Sequence, residues 1–442
     1  MRRNFERLRR ASCALRIFQR SLFANLLALA PSEIMAQNIG APSKGKFVGL
    51  EIVRSLAALV VIYSHVFLFK LLPATGLLEF PGQFATEAVI IFFVLSGTVI
   101  TLSQENKLRE EDRVTVVLTY LKARLVRLYP VYLLGLGLAA AVQFLSEGTW
   151  MAPTTLAGNL FFLQSPSSYI VSSPAFNPPL WSLSNEVGYY LIFAAVLLYP
   201  RVWVLWMLAA IICGTILGPV GLEGVPGFLV FLFGLSLPWI MGYWLAVNRH
   251  ALPAVSIPLG FAFFVIGLAY SRVPVSGSYY DPYRLTAFGA FSCPLILSII
   301  QGEAPAKDQK QYRGLRLVAA LPAVVGLWTL SPSMVPVKVA LTSVALLFAM
   351  LDLAWIKAAL SSLRILVPVL AYLGSISYAL YALHAPLIFL VNSLLEGLHS
   401  VARFMAFVAA VLALSHLMER VVQPRLAHLL QSRARLPGRS MK

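Results

Sequence analysis

Charge is what this chain has little of. Asp, Glu, Lys and Arg together make up 12% of its 442 residues, against about 25% in an average soluble domain. Hydrophobic residues reach 59% and mean hydropathy is +0.79. A chain this apolar cannot cover its surface in water, which excludes a soluble globular enzyme, and it is too hydrophobic to remain disordered. Acidic residues are scarcer than basic ones, 18 against 35. Cysteine is nearly missing: Cys13, Cys213 and Cys293 are scattered and form no ligand spacing. That argues against a disulfide scaffold and a cysteine-based metal site, and no metal is expected. Period-2 alternation is also absent, so the apolar stretches do not read as barrel strands.

What the chain does have is a succession of apolar runs near the length that a helix needs to cross about 30 Å of hydrocarbon. They fall at about 48–70, 84–103, 124–145, 179–199, 203–220, 226–247, 253–270, 285–300, 315–330, 338–355, 367–394 and 401–420. The fold class read from them is all-α, a polytopic membrane helical bundle of about 10–12 transmembrane helices. The basic charge sits between and beside these runs. Residues 1–46 hold nine Lys and Arg against two Glu, and residues 420–442 hold six with no acid. Segments 104–127 and 301–316 are also basic, whereas 146–178 has neither Lys nor Arg.

The positive-inside rule therefore places both termini in the cytoplasm and 146–178 outside, which requires an even number of spans. The expected layout is a basic cytoplasmic segment over 1–46, a membrane domain over 47–425 and a basic cytoplasmic tail over 426–442. Arg16 and Arg20 interrupt the first apolar stretch and suit an amphipathic surface helix, unless Met35 is the true start. Charge at the ends of spans points to the lipid bilayer as partner, and no nucleic acid is expected. No internal repeat or linker divides the chain.

Ionisable side chains inside a membrane span are costly, roughly 2.5–3.5 kcal/mol at the centre, and default to functional candidates. In L-E-I-V-R-S-L-A-A-L-V-V-I-Y-S-H, Arg54 and His65 are eleven residues apart. Eleven residues are three helical turns plus about 20°, so both lie on one face, about 16 Å apart along the axis, with Glu51 about 40° from His65. The alternative is a packing histidine with an interfacial arginine. Arg124 and Arg127 share a face at i, i+3, where paired guanidinium groups suit a phosphate, although such pairs are more often membrane anchors.

Glu186 lies about one turn into the run that follows N-P-P-L-W-S-L-S-N-E, and a buried carboxylate needs a partner such as an arginine or protonated histidine of the first span. Ser184, just before it, suits a helix cap. Tyr378, Tyr381 and His384 follow at i, i+3 and i+6, so their polar tips line one helix side. Ser375 and Ser377 precede them and suit bonds back to the helix backbone as well as contact with a substrate. His384, two residues before Pro386, suits packing or kink support as well as catalysis. His416 and Glu419 read as interfacial.

Taken in order, these segments resemble acyltransferase family 3, the integral membrane O-acyltransferases. The resemblance rests on the arginine-to-histidine spacing of Arg54 and His65, F-F-V-L-S-G at 92–97 and R-L-V-R-L-Y-P-V-Y at 124–132. It continues in W-S-L-S-N-E at 181–186 and L-G-S-I-S-Y-A-L-Y-A-L-H-A-P at 373–386. It covers roughly residues 47–425. Glu51 stands where the family usually has aspartate, and Thr98 where phenylalanine is common, a change expected to alter local packing.

The resemblance implies transfer of an acyl group, most often acetyl, from cytoplasmic acyl-CoA to a hydroxyl of an envelope, exported or secreted glycan, in the inner membrane. It implies His65 as general base, with Glu186 and Arg54 as further catalytic residues and Arg124 and Arg127 holding the CoA phosphates. An acyl-His65 intermediate is the alternative route. The implied partners are acetyl-CoA or another acyl-CoA as donor substrate and a carbohydrate or glycolipid acceptor, with no permanently bound cofactor. The rival reading of the same buried His, Arg and Glu is a proton-coupled secondary transporter, which internal repeats would favour.

Overall fold

Inside a bilayer every backbone N–H and C=O has to be satisfied within the chain, so the apolar runs become helices. A computed structural model describes residues 44–73, 81–105, 107–271, 281–302, 311–329, 335–351, 355, 358 and 361–434. The surface helix expected around Arg16 and Arg20, and the end of the basic tail, lie outside the described residues. All twelve expected runs contain helix. Among the described residues nine helices are long and apolar enough to cross a membrane. The runs at 253–270, 315–330 and 338–355 give shorter apolar helices, Ile257–Tyr270, Arg316–Val325 and Lys338–Met350. Among the described residues strand is confined to a two-residue parallel pair, Gln164–Ser165 with Val171–Ser172. The protein is an all-α polytopic bundle.

The helices that build the site are α1 (Lys44–Leu68), α2 (Ala85–Gln104), α3 (Arg113–Glu147) and α4 (Trp181–Leu198). Further along come α5 (Leu237–Asn248), α6 (Val367–Ser375), α7 (Ser377–Leu394) and α8 (Ser400–His416). α3 has 35 residues, about 52 Å at 1.5 Å per residue, so it is longer than the hydrocarbon is thick. Asp112 caps it by accepting from Val114 and Thr115 N–H at 3.0 Å. The hydrogen bonds from Thr115 hold that exposed carboxyl below its ordinary value. Gly148 closes the helix at φ 69°, the left-handed region that glycine enters without penalty.

Among the described residues α2 and α7 are the most enclosed spans, and both are apolar apart from the few polar side chains they bury, among them Glu87 and Ser96 on α2 and His384 on α7. α2 packs on α5, and α1 packs on α2, α6 and α7. At the α2–α5 crossing the backbones touch: a Cβ on Gly242 would lie 2.0 Å from the carbonyl oxygen of Val94. Thr98 sits there fully buried, its hydroxyl 2.9 Å from Val94 O and 3.2 Å from Gly242 O. The small threonine thus fits a crossing that phenylalanine would spread.

The run at 367–394 is two helices broken at Ile376, and the run at 226–247 is likewise divided at Leu235–Ser236. α6 runs against α1 so closely that a Cβ on Gly374 would stand 2.0 Å from the carbonyl oxygen of Glu51. Segment 146–178 is folded, not slack. Asn159 amide N–H groups reach Thr155 O and Ser172 O, and Asn177 Nδ2 donates to Ala382 O at 2.9 Å, tying the segment to α7.

Gly374→Ala is expected to destabilise the folded protein by about 1–3 kcal/mol or more, because a methyl group has no room against backbone. Gly137→Ala, where nothing lies within 4 Å, is expected to be neutral or slightly stabilising. Thermal unfolding of both variants in detergent measures the contrast.

Candidate active site

α1 carries the polar stripe that its spacing predicts. Arg54 donates from Nη1 to Glu51 Oε1 at 2.9 Å, with its side chain only 13% exposed. This end of α1 opens onto a cleft enclosing about 560 Å³ of non-atom space, its open mouth included, with Arg54, Arg127 and Glu186 all in its wall. α3 supplies Arg127 and α4 supplies Glu186. The cleft lies beside the break at Ile376, where the start of α7 contributes Ser377 and Tyr378.

Glu186 is held from two directions. The hydroxyl of Tyr190, one turn on, donates to Glu186 Oε1. Ser96 of α2 donates to the same oxygen at 3.4 Å and in turn accepts from Trp239 Nε1 at 3.3 Å. The serine of the F-F-V-L-S-G block therefore joins α5 to the carboxylate through α2. Arg124 sits differently from Arg127. Its guanidinium lies 5.6 Å from the Tyr120 ring centroid and 5.7 Å from that of Tyr190, a cation–π position, and it is not in the cleft wall. Ser184 does not cap α4, since the helix begins at Trp181 and the Ser184 hydroxyl bonds back to Trp181 O at 2.7 Å.

α7 leads from the cleft to His65. Tyr378 donates to Leu128 O at 2.9 Å. Tyr381 donates to Pro179 O at 2.5 Å, which uses its single proton, so Ser182 is the donor in the 2.7 Å contact between their hydroxyls. The Tyr381 and His384 ring centroids are 5.9 Å apart, and those of His384 and His65 are 4.9 Å apart. His384 Nε2 lies 3.2 Å from His65 Nδ1. Beyond His65 the rings of Phe69, Phe389 and Phe176 follow at 5.0, 4.5 and 5.1 Å, reaching segment 146–178.

The structure thus brings Arg54, Arg127 and Glu186 together and keeps His65 apart from them, beyond Tyr381. The side chain that reaches His65 is His384; Glu186 bonds Tyr190 and Ser96 instead. Sequence reading gave His384 packing or kink support as well as catalysis, but not this pairing, and it missed Ser96 and Tyr190 as parts of the site. Ser375 bonds back to Tyr372 O, as a helix serine does, whereas Ser377 lines the cleft.

Glu419 is not merely interfacial. A π-helical turn at Leu417–Val422 follows α8, and Glu419 Oε1 accepts from Ala379 N at 2.8 Å. It satisfies one of the orphan N–H groups that the break leaves at the start of α7. His416, by contrast, is exposed and bonded to the Tyr372 hydroxyl at 2.8 Å.

Residues 47–420 match the family model described as an acyltransferase domain. The chain belongs to acyltransferase family 3. It is 33% identical over 150 residues to the acyltransferase MdmB of Streptomyces mycarofaciens, a match covering 32% of this chain and 36% of that protein. It is 32% identical over 160 residues to protein 2 in the picA locus of Rhizobium radiobacter, covering 32% of this chain and 78% of that protein. The aligned stretch therefore spans only about a third of the length of MdmB. No solved structure matches.

Glu419→Ala is expected to cost about 1–3 kcal/mol by leaving the Ala379 N–H without its acceptor, while Glu419→Gln, which keeps a carbonyl oxygen there, recovers most of it. Thermal unfolding of the two variants reads the difference.

Proposed function

We propose that the protein is an inner-membrane O-acyltransferase that moves an acyl group, most simply acetyl, from cytoplasmic acyl-CoA to a hydroxyl of an envelope, exported or secreted glycan. The observation that carries this reading is the polar cleft in an apolar bundle, walled by Arg54, Arg127 and Glu186, in a chain matching an acyltransferase model over 47–420. In this reading both termini are cytoplasmic and the cleft opens to the cytoplasm.

Arg127 meets the phosphates of the donor, with Arg124 adding positive charge behind it from its seat over Tyr120 and Tyr190. A guanidinium offers planar, paired N–H donors that suit phosphate oxygens. Arg54 orients the donor where it enters the cleft. Glu186, fixed by Tyr190 and Ser96, balances the two guanidinium groups and holds the geometry of the cleft. The extended thiol arm of the donor carries the intact thioester along α7 past Tyr381 to His65. There the acceptor hydroxyl gives its proton to His65 while its oxygen bonds to the thioester carbonyl carbon. The carbon–sulfur bond breaks, and the departing CoA thiolate takes up the proton.

The deciding experiment supplies radiolabelled acetyl-CoA and a crude envelope-glycan fraction to the purified, reconstituted protein. Label is expected in glycan with wild type and is expected to fall by about 10²-fold or more with His65→Ala. A His65→Ala protein that inserts normally and still transfers label would sink His65 as base. Failure of acetyl-CoA to bind would remove the donor assignment and favour a transporter. Arg127→Ala is expected to raise KM for acyl-CoA about 10- to 100-fold, the loss of a hydrogen bond to a charged group, and Arg124→Ala by less, as steady-state kinetics would show.

A further inference from the structure

We infer that His384 is a positioning residue that locks His65 in the tautomer leaving Nε2 as the working nitrogen. The inference rests on the reading of His65 as the base and specifies which atom acts and what holds it.

The argument is one of donors and acceptors. A backbone carbonyl can only accept, and a neutral imidazole has one N–H and one bare nitrogen. His384 is fully buried, with Nδ1 2.7 Å from Tyr381 O. That nitrogen must carry the proton, so His384 Nε2 is bare and accepts. It faces His65 Nδ1 at 3.2 Å, and His65 Nδ1 also lies 2.8 Å from Val61 O. Both neighbours of His65 Nδ1 are acceptors, so His65 carries its proton there and shares it between them. The opposite arrangement would leave two bare nitrogens against carbonyl oxygens, at 2.7 and 2.8 Å.

His65 Nε2 is therefore the bare nitrogen, and among the described residues it has no hydrogen-bond partner. It is the atom available to a hydroxyl proton. Once it takes that proton, the Nδ1–H still points at Val61 O and at the His384 lone pair, so the positive ring meets two acceptors already in place. This is the work that a carboxylate does for histidine in hydrolase triads, where it fixes the tautomer and steadies the imidazolium. Here a neutral histidine does it. A neutral partner fits the setting, since a second buried charge at this depth would need its own counter-ion.

Two variants and one spectrum test this. His384→Phe keeps the ring volume and removes the acceptor; His384→Gln replaces Nε2 with an amide oxygen able to accept while its NH2 donates to Tyr381 O. With protein that inserts and melts like wild type, kcat is expected to fall about 10²- to 10⁴-fold in His384→Phe, with KM for acyl-CoA unchanged. His384→Gln is expected to recover at least tenfold of that loss. Equal loss in both variants would show a packing role and overturn the proposal, as would full activity in His384→Phe. Nitrogen NMR of wild type with labelled histidine, assigned through His65→Gln, is expected to show His65 with Nδ1 protonated and Nε2 bare. The reverse tautomer would overturn the inference even where the variants fail to fold. These outcomes are separate from that of His65→Ala, whose retained activity would remove the base assignment itself.

Discussion

A guanidinium carried into an apolar bundle has to be met by a carboxylate, and much of the structure is arranged around that demand at Arg54. Glu51, one turn before it, makes the direct ion pair, and Glu186 faces it across the cleft from α4. A buried pair repays its lost hydration only when the geometry is good and the remaining polar atoms are satisfied. The close approach of α6 at Gly374 fixes the backbone under Glu51. The break at Ile376 then turns the chain into α7 and brings Ser377 and Tyr378 to the cleft wall. Loss of Glu51 would leave Arg54 without its direct ion pair.

Helix positions and the polar stripe of α1 were legible from hydrophobic run length and 3.6-residue spacing, because both are local properties; the number of full spans was not, since three of the twelve runs give helices too short to cross by themselves. The clustering of Arg127 and Glu186 with Arg54 was legible only as a requirement that buried charges find partners, without saying which. The partner of Glu186 was open between an arginine and a protonated histidine of the first span; Glu186 shares the cleft wall with Arg54, and its carboxylate bonds Ser96 and Tyr190. Nothing local marks Ser96 for this: it is a serine in an apolar run, and its role comes from packing α2 between α4 and α5. Glu419 was misread for a related reason. A π-turn shifts register by an amount no periodicity announces, and it carries Glu419 to the start of α7.

Segment 146–178 shows the same limit from the other side. Its freedom from Lys and Arg was read as loop charge, but its buried amides make it a packed cap, with Asn159 and Asn177 bonding to backbone. Asparagine and proline signal a turn without showing that the turn closes onto a helix. Through Phe176 the cap reaches the aromatic rings around His65, so the two ends of the site have different surroundings. One is lined by charge and hydroxyls, the other by rings and a histidine pair.

The contact between His65 and His384 joins positions 319 residues apart. During synthesis at about 5–20 residues per second, roughly 15 to 60 seconds separate the emergence of the two rings. For all that time the first span sits in the membrane with its histidine unmatched, while Arg54 relies on the glutamate three residues before it. Glu51 is the counter-ion that travels with Arg54 on the same helix. Within the apolar stretch Val48–Leu68 the two opposite charges cancel, so that stretch can enter lipid before the rest of the bundle arrives.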